Sequence, residues 1–248
     1  MVLKNIKIHI VLFLSLFIFQ ACLEDLEKCG RRGGNVIERN IELSSIHSIE
    51  AWDGLNVFLH QSDEQQILVR AGENLIPQIN LKVEEGVLIM KDNNKCDWSR
   101  QYQDREVHIY LPEYKSIYQM GFGKIVSRDT LITDQLRIEA RLGIGNIELI
   151  LDTRKLDVFS WRYGTIKVGG RTEHLNVQFH NNNAIFDAKN LLVDHITLIH
   201  KSNNSFHLSP SLSLEGTLRA KGNIYLHRKP KKLEVSITGS GQVISMYQ

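Results

Sequence analysis

Cysteine and proline are scarce in this chain, with three cysteines and four prolines in 248 residues. Two cysteines that remain after processing would need two more ligands to hold zinc, and no histidine stands at ligand spacing from them. The ten histidines form no HxH or HExxH pattern, so a metal centre has little support. Charge of either sign is not in excess: the formal net charge is +2, and no Lys/Arg block or RNA-binding signature occurs. Composition therefore argues neither for nor against nucleic acid; the export signal at the N-terminus is what argues against it. No apolar run reaches the roughly 20 residues that carry a helix across a bilayer. Helical periodicity is nearly missing as well, and ENLIPQ (73–78) is the one helical turn expected.

What is present begins at the N-terminus. Lys4 and Lys7 precede an apolar run from Ile8 to Phe19, broken only by His9 and Ser15, which is the size of a secretory signal. The run ends in Phe19-Gln20-Ala21-Cys22, which resembles a bacterial lipobox, with Cys22 as the lipidated first residue of the mature chain. Phe19 and Gln20 depart from the usual Leu and small residue. Glu24, Asp25 and Glu27 then form an acidic tether, similar to signals that send some lipoproteins to the cell surface. The expected organisation is a signal peptide at 1–21, a tether at 22–34 and one domain at 35–248. That places the protein, lipid-anchored, in the outer membrane or at the cell surface, and otherwise in the periplasm. An oxidising compartment and an even remainder of cysteines predict a Cys29–Cys96 disulfide. Closing so long a loop is worth roughly 4 kcal/mol on the chain-entropy model.

The mature chain alternates apolar and polar residues with period 2. NVFLHQ (56–61), QILVRAG (66–72), INLKVEEGVLIMKD (79–92) and REVHIYLPE (105–113) read as an N-terminal β-strand region. Beyond about residue 115 a repeat appears. Its units open at Leu136, Leu156, Leu175, Ile196, Leu214 and Leu233, 18 to 21 residues apart. Eight positions on stands Gly164, Asn183, Asn204, Gly222 or Gly241, and two further on Ile166, Ile185, Phe206, Ile224 or Val243. The unit opening at Leu136 carries one extra residue before its Gly145. Each unit reads as two short strands around a Gly/Asn bend, chosen because those residues tolerate positive φ. One unit cannot bury its apolar side; stacked units can. The period favours an all-β parallel solenoid over its rival, an antiparallel sandwich of regular hairpins.

The stretch VIERNIELSSIHSIEAWDGLNVFLHQ, then Asn94-Lys95-Cys96-Asp97-Trp98, then Gly121-Phe122-Gly123, Gly143-Ile144-Gly145 and Gly239-Ser240-Gly241 resemble the head GIN domain family of auto-transporter adhesins, over about residues 36–246. The resemblance implies a right-handed β-helix-like fold, a role in surface adhesion and no established catalytic residues; no cofactor is expected. Asn182-Asn183 and Asn203-Asn204 stand where the family favours Gly-Ser-Gly, and His227 and Arg228 where a glycine is common.

Chemistry is sought at matching offsets of neighbouring units. The GxG motifs are followed by strands, not the helix that a dinucleotide site requires, so they read as turns. Glu215 and Glu234 share an offset, yet nothing beside them suggests a glycosidase pair, and they read as solvated acids. No nucleophile elbow occurs. Five residues after each opening come Arg141, Trp161, His180, Lys201 and Arg219, with Tyr163 and Asn182 close by. Stacked coils would align them into a stripe of cations, aromatics and amides suited to a carbohydrate or anionic polymer. Any solenoid exposes a polar column at every offset, so chance alone is the competing reading. Trp98, Arg100 and Tyr102 in CDWSRQYQDR form a second candidate, equally readable as a cap. The function expected is a non-catalytic envelope binding or adhesion module for a carbohydrate or another envelope or host surface molecule. A polysaccharide hydrolase or lyase and a structural lipoprotein are the alternatives.

Overall fold

The computed structural model of the protein describes residues 33–94, 103–180 and 183–247. In the N-terminal half, the alternating stretches form β1 (Val36–Asn40), β2 (Ser48–Ala51), β3 (Asn56–Gln61), β4 (Gln66–Gly72), β5 (Ile79–Glu84), β6 (Val87–Asp92), β7 (Glu106–Leu111) and β8 (Ser116–Gln119). Residues 79–92 are two strands, because Glu85 and Gly86 both take positive φ (50° and 76°) and reverse the chain into an antiparallel hairpin. The segment 73–78 closes as a single 3-10 turn at Ile76–Gln78.

The repeat folds as β9 (Ile125–Ala140), β10 (Ile147–Ser160), β11 (Thr165–Phe179), β12 (Ile185–His200), β13 (Phe206–Leu218), β14 (Ile224–Leu226), β15 (Lys232–Ile237) and β16 (Val243–Ser245). Neighbours pair in parallel throughout, which settles the architecture as a β-solenoid of about six turns and sets the hairpin sandwich aside. Each long strand serves both faces. Its first half pairs in one sheet, which β3 and β7 extend, and its second half in another, which β8, β2 and β6 extend. The coil made by β2 and β3 lies inside the one made by β6 and β7, so stacking order departs from chain order.

The corner between the two halves is turned without leaving the strand. Thr133, Thr153 and Thr172 stack there in register, buried. Thr153 Oγ1 donates to the Asp134 carbonyl of the previous coil at 3.0 Å, which satisfies a hydroxyl that burial would otherwise penalise. Two coils beyond Thr172, Ser209 and Ser211 do the same, donating to the carbonyls of Lys189 and Val193 at 2.6 and 3.0 Å.

The other corner holds the Gly/Asn bends. The expected opening column forms in register: Leu136, Leu156, Leu175, Ile196, Leu214 and Leu233. Past the bend the column is Ile147, Ile166, Phe186, Phe206, Ile224 and Val243, with Ile125 and Val57 before it. Ile185 is therefore displaced from its expected place. The bend before it carries an extra residue, as the Gly145 bend does, so Phe186 turns inward and Ile185 is left 39% exposed.

The reason for glycine at these bends also differs from expectation. Among the bend glycines only Gly164 has positive φ (122°). The others are required by contact: a Cβ on Gly145 would lie 2.1 Å from the Gly123 carbonyl oxygen, and one on Gly241 would lie 2.2 Å from that of Gly222. Backbone is stacked on backbone, and no side chain fits between.

The interior is apolar along its length, from Val107, Ile109 and Leu88 at one end to Leu226 at the other. Around β11 to β13, Phe179, Phe186 and Phe206 meet edge to face, with centroids 4.8 to 5.7 Å apart. Gly216 is the position of β13 in register with Leu198 and Val235, and a Cβ there would meet the Leu198 backbone. His200 lies in this apolar interior, fully buried, its ring stacked 3.8 Å from Phe206.

The two ends of the stack are unlike. One is covered by antiparallel strands, β4 and β1 on one sheet and β5 on the other. Near it, the buried ion pair Arg105–Asp92 (2.6 Å) brackets residues 95–102. At the other end, β15 and β16 form the last coil, and the column residues Leu233 and Ile237 are 48% and 47% exposed.

Candidate functional site

The outer face of the β8–β13 sheet and the adjoining Gly/Asn corner carry the candidate site. Backbone pairing continues one residue beyond the strands: Arg141 N–H donates to Gln119 O (3.1 Å), Trp161 to Ala140 (3.0 Å), His180 to Ser160 (2.9 Å), Lys201 to Phe179 (3.1 Å) and Arg219 to His200 (2.8 Å). Those bonds place Arg141, Trp161, His180, Lys201 and Arg219 one above another, one per coil, and Met120 and Trp52 extend the column through the same kind of bond. Adjacent strands lie about 4.8 Å apart, so these side chains recur at that interval.

At the Trp161 end the face is an aromatic and guanidinium surface. Glu139, buried at 2% side-chain exposure, is held between Arg137 and Arg141, which are themselves nearly half exposed. Its carboxylate fixes both guanidiniums, and its hydrogen bond to Arg141 holds that group's pKa above its ordinary value. Arg137 lies over the Phe159 ring at 4.3 Å and Arg141 over Tyr118 at 4.8 Å. Phe159 stacks towards Trp161 (6.0 Å) and Trp161 towards His180 (5.6 Å). Burial and the neighbouring Lys201 charge keep the His180 pKa below its ordinary value, so its ring is neutral at neutral pH. Asp157, Asn176 and Gln178 border the patch in a hydrogen-bonded row.

Along the corner, the middle residues of the bends form a second, parallel ridge. Phe122, Ile144 and Tyr163 stand out from it, 66%, 62% and 54% exposed. Further along, Asn203, Lys221 and Ser240 take the same place, and with Lys201 and Arg219 they line a depression of about 430 Å³. The ridge thus runs from apolar to basic along the solenoid axis.

Sequence offsets had assembled Arg141, Trp161, His180, Lys201 and Arg219, and the fold brings all five into one column, with Tyr163 on the neighbouring ridge. Tyr118, Glu139, Phe159, Phe122 and Ile144 belong to the same surface and were not singled out. The signal available was the repetition of an aromatic two positions before the column, at Tyr118 and Phe159, and two after it, at Phe122 and Tyr163. Asn182, Trp98, Arg100, Tyr102, Cys22, Cys29 and Cys96 lie outside the described residues. Glu215 and Glu234 do stand side by side, but Lys232 bridges both, at 2.9 and 3.1 Å.

On the opposite sheet, histidines meet across coils in a way that local spacing does not reveal. His60 Nε2 and His108 Nδ1 are 3.2 Å apart, and His207 Nδ1 and His227 Nε2 are 3.0 Å apart. Among the described residues no group of three or more His, Cys, Asp or Glu side chains is placed to hold a metal ion. Nor is any helix among them long and apolar enough to cross a membrane.

Solved structures of similar architecture come from species of Bacteroides and Parabacteroides. A "putative adhesin" from Bacteroides fragilis superimposes with a TM-score of 0.79 at 20% identity, covering 88% of this chain and 100% of that one. A "putative lipid binding protein" from Parabacteroides distasonis gives 0.65 at 18% identity, covering 87% and 100%. A "putative adhesin" from Parabacteroides merdae gives 0.62 at 18%, covering 87% and 98%. At these identities the likeness is one of fold. No curated protein matches the chain. The family described as "Putative auto-transporter adhesin, head GIN domain" matches residues 46–230, three quarters of the chain, and this protein belongs to that family.

Proposed function

We propose that the protein is an exported, lipid-anchored and non-catalytic adhesion module, and that it binds carbohydrate on the column Arg141–Trp161–His180–Lys201–Arg219. The observation that carries this reading is the alignment of those side chains, one per coil, beside an exposed aromatic ridge. A pyranose ring presents an apolar face to Trp161 or Tyr163, and the guanidiniums fixed by Glu139 donate to its hydroxyls in a geometry set before the ligand arrives. Repetition along the axis suits a polymer, because each further coil offers another contact without another chain-ordering cost.

The address belongs to the same proposal. A signal peptide at 1–21, lipid on Cys22 and the acidic tether at 22–34 would hold the solenoid at the outer membrane or cell surface, with the Cys29–Cys96 bridge closing its base. Protease treatment of intact cells tests the address: cleavage as in lysates is expected, and protection in intact cells would sink the adhesin reading. Binding is tested on a glycan array with the wild-type chain and Trp161→Ala. The expected result is retention of a glycan without release of shorter products, weakened about tenfold by Trp161→Ala, the loss of one ring stack. Release of shorter products would replace the binder with an enzyme.

A second reading has its own observation. Phe122, Leu142 and Ile144 are all more than half exposed on the apolar part of the ridge, which would suit the acyl part of a lipid. Vesicle co-sedimentation that Ile144→Ser abolishes while glycan binding is untouched would favour it.

A further inference from the structure

The two ends of the binding column differ in how their charges are satisfied. Towards Trp161, the cations are neutralised: Arg137 and Arg141 share Glu139, and Lys155 pairs with Asp157 at 3.2 Å. Towards the last coils the case is reversed. Lys201, Arg219 and Lys221 surround the corner depression, and among the described residues none of the three takes part in an ion pair. The carboxylates nearest in register, Glu215 and Glu234, are engaged by Lys232. The Ser240 side chain completes the wall of the depression beside them. An anion entering the hollow would meet three cations that no carboxylate among the described residues engages.

Resting on the carbohydrate reading above, we propose that the Lys201–Arg219–Lys221 depression binds an anionic substituent of the glycan, a sulfate, phosphate or carboxylate. The ligand class is then an acidic saccharide, with one ring over Trp161 and its charged group in the hollow. Trp161 and Lys201 are two coils apart, about 10 Å at the spacing of paired strands, so a short oligosaccharide reaches from one to the other. Arg219 supplies a planar fork that can take two oxygens of the anion at once, and the lysines supply point charges. The neutral His180 ring between the two parts separates a stacking surface from an electrostatic one.

The test uses the full chain, titrated calorimetrically with size-matched tetrasaccharides: one sulfated, one built of uronic acids, one neutral. Vesicles of phosphatidylglycerol serve as a separate anionic surface. Arg219→Gln and Lys221→Gln each change an exposed side chain, and an unaltered thermal midpoint shows that the fold is intact. Acidic saccharides are expected to bind in a salt-sensitive manner, about tenfold weaker in either variant, while Arg219→Lys retains most of the affinity. Neutral and acidic saccharides bound equally well, with no change in the variants, would overturn the anion site and leave the carbohydrate reading standing. Binding to phosphatidylglycerol vesicles but to no acidic saccharide would overturn it in favour of an anionic lipid surface. Binding of no saccharide at all would remove both proposals together.

Discussion

Gly143→Ala is expected to lower the unfolding free energy by about 3 kcal/mol, at the upper end of what overpacking costs. The added Cβ would sit 1.8 Å from the carbonyl oxygen of Gly121, one coil below. No rotamer relieves that contact, since both partners are backbone. The coils must part, and in parting they strain the bond by which Gly145 N–H reaches the same carbonyl at 3.2 Å. Gly169→Ala is the matched control. Its nearest neighbour would be 3.6 Å away, ordinary van der Waals contact, and its φ lies outside the left-handed region. That change should be neutral or stabilise by about 0.5 kcal/mol, through the lost freedom of the unfolded chain. Denaturant midpoints of the two variants against wild type decide the matter. Equal midpoints would mean that the bend glycines serve no packing purpose.

Acid should weaken the fold through His200, and His200→Leu should remove much of that weakness. Burial holds the His200 pKa at about 4, because an imidazolium in this apolar interior loses its hydration. The unfolded value is about 6.5. The stabilisation is therefore fully present above about pH 6.5, falls as pH drops through the interval to about 4, and is then lost. Integrated over that interval the loss is about 3 kcal/mol, as an order of magnitude. Ser202 N–H donates to His200 Nδ1 at 3.2 Å, which leaves the proton of the neutral ring on Nε2. Leucine is the natural replacement, since Leu218 occupies the same column in the next coil. Denaturant stability of wild type and His200→Leu, compared at neutral and mildly acidic pH, should diverge, the variant keeping more of its neutral-pH stability. Parallel losses in both would show that other groups carry the acid sensitivity. His60 and His207, whose pKa values burial also lowers, would be the next to change.

Period is what made the solenoid readable from residues alone. Leu136, Leu156, Leu175, Ile196, Leu214 and Leu233 share one column because each coil advances the chain by a nearly constant number of residues. The same constancy carried the offset five residues on, so Arg141, Trp161, His180, Lys201 and Arg219 could be aligned on paper. The reading slipped where the constancy did: the extra residue ahead of Phe186 reversed the sides of Ile185 and Phe186, since a shift of one flips every side chain of a strand.

The sequence by itself determined the class of fold, the spacing of its coils and the membership of its polar column, because all three depend on local alternation and a repeat length. Tertiary structure alone decided the rest. Whether a bend glycine is needed for its φ or for space depends on the coil beneath it, and Gly121 under Gly143 is invisible to local rules. Glu139 lies between arginines two positions to either side along its own stretch of chain, so alternation alone puts the three on one face. That its carboxylate is buried there, and that among the described residues Lys201, Arg219 and Lys221 form no ion pair, depends on the coils around them. The same stacking encloses His200 in phenylalanines and brings the histidines of the opposite sheet within 3.2 Å of each other. Electrostatic satisfaction belongs to neighbours in space, and in this solenoid some of them, such as Arg154 for Asp134 and Lys167 for Glu148, are set a full turn of chain away.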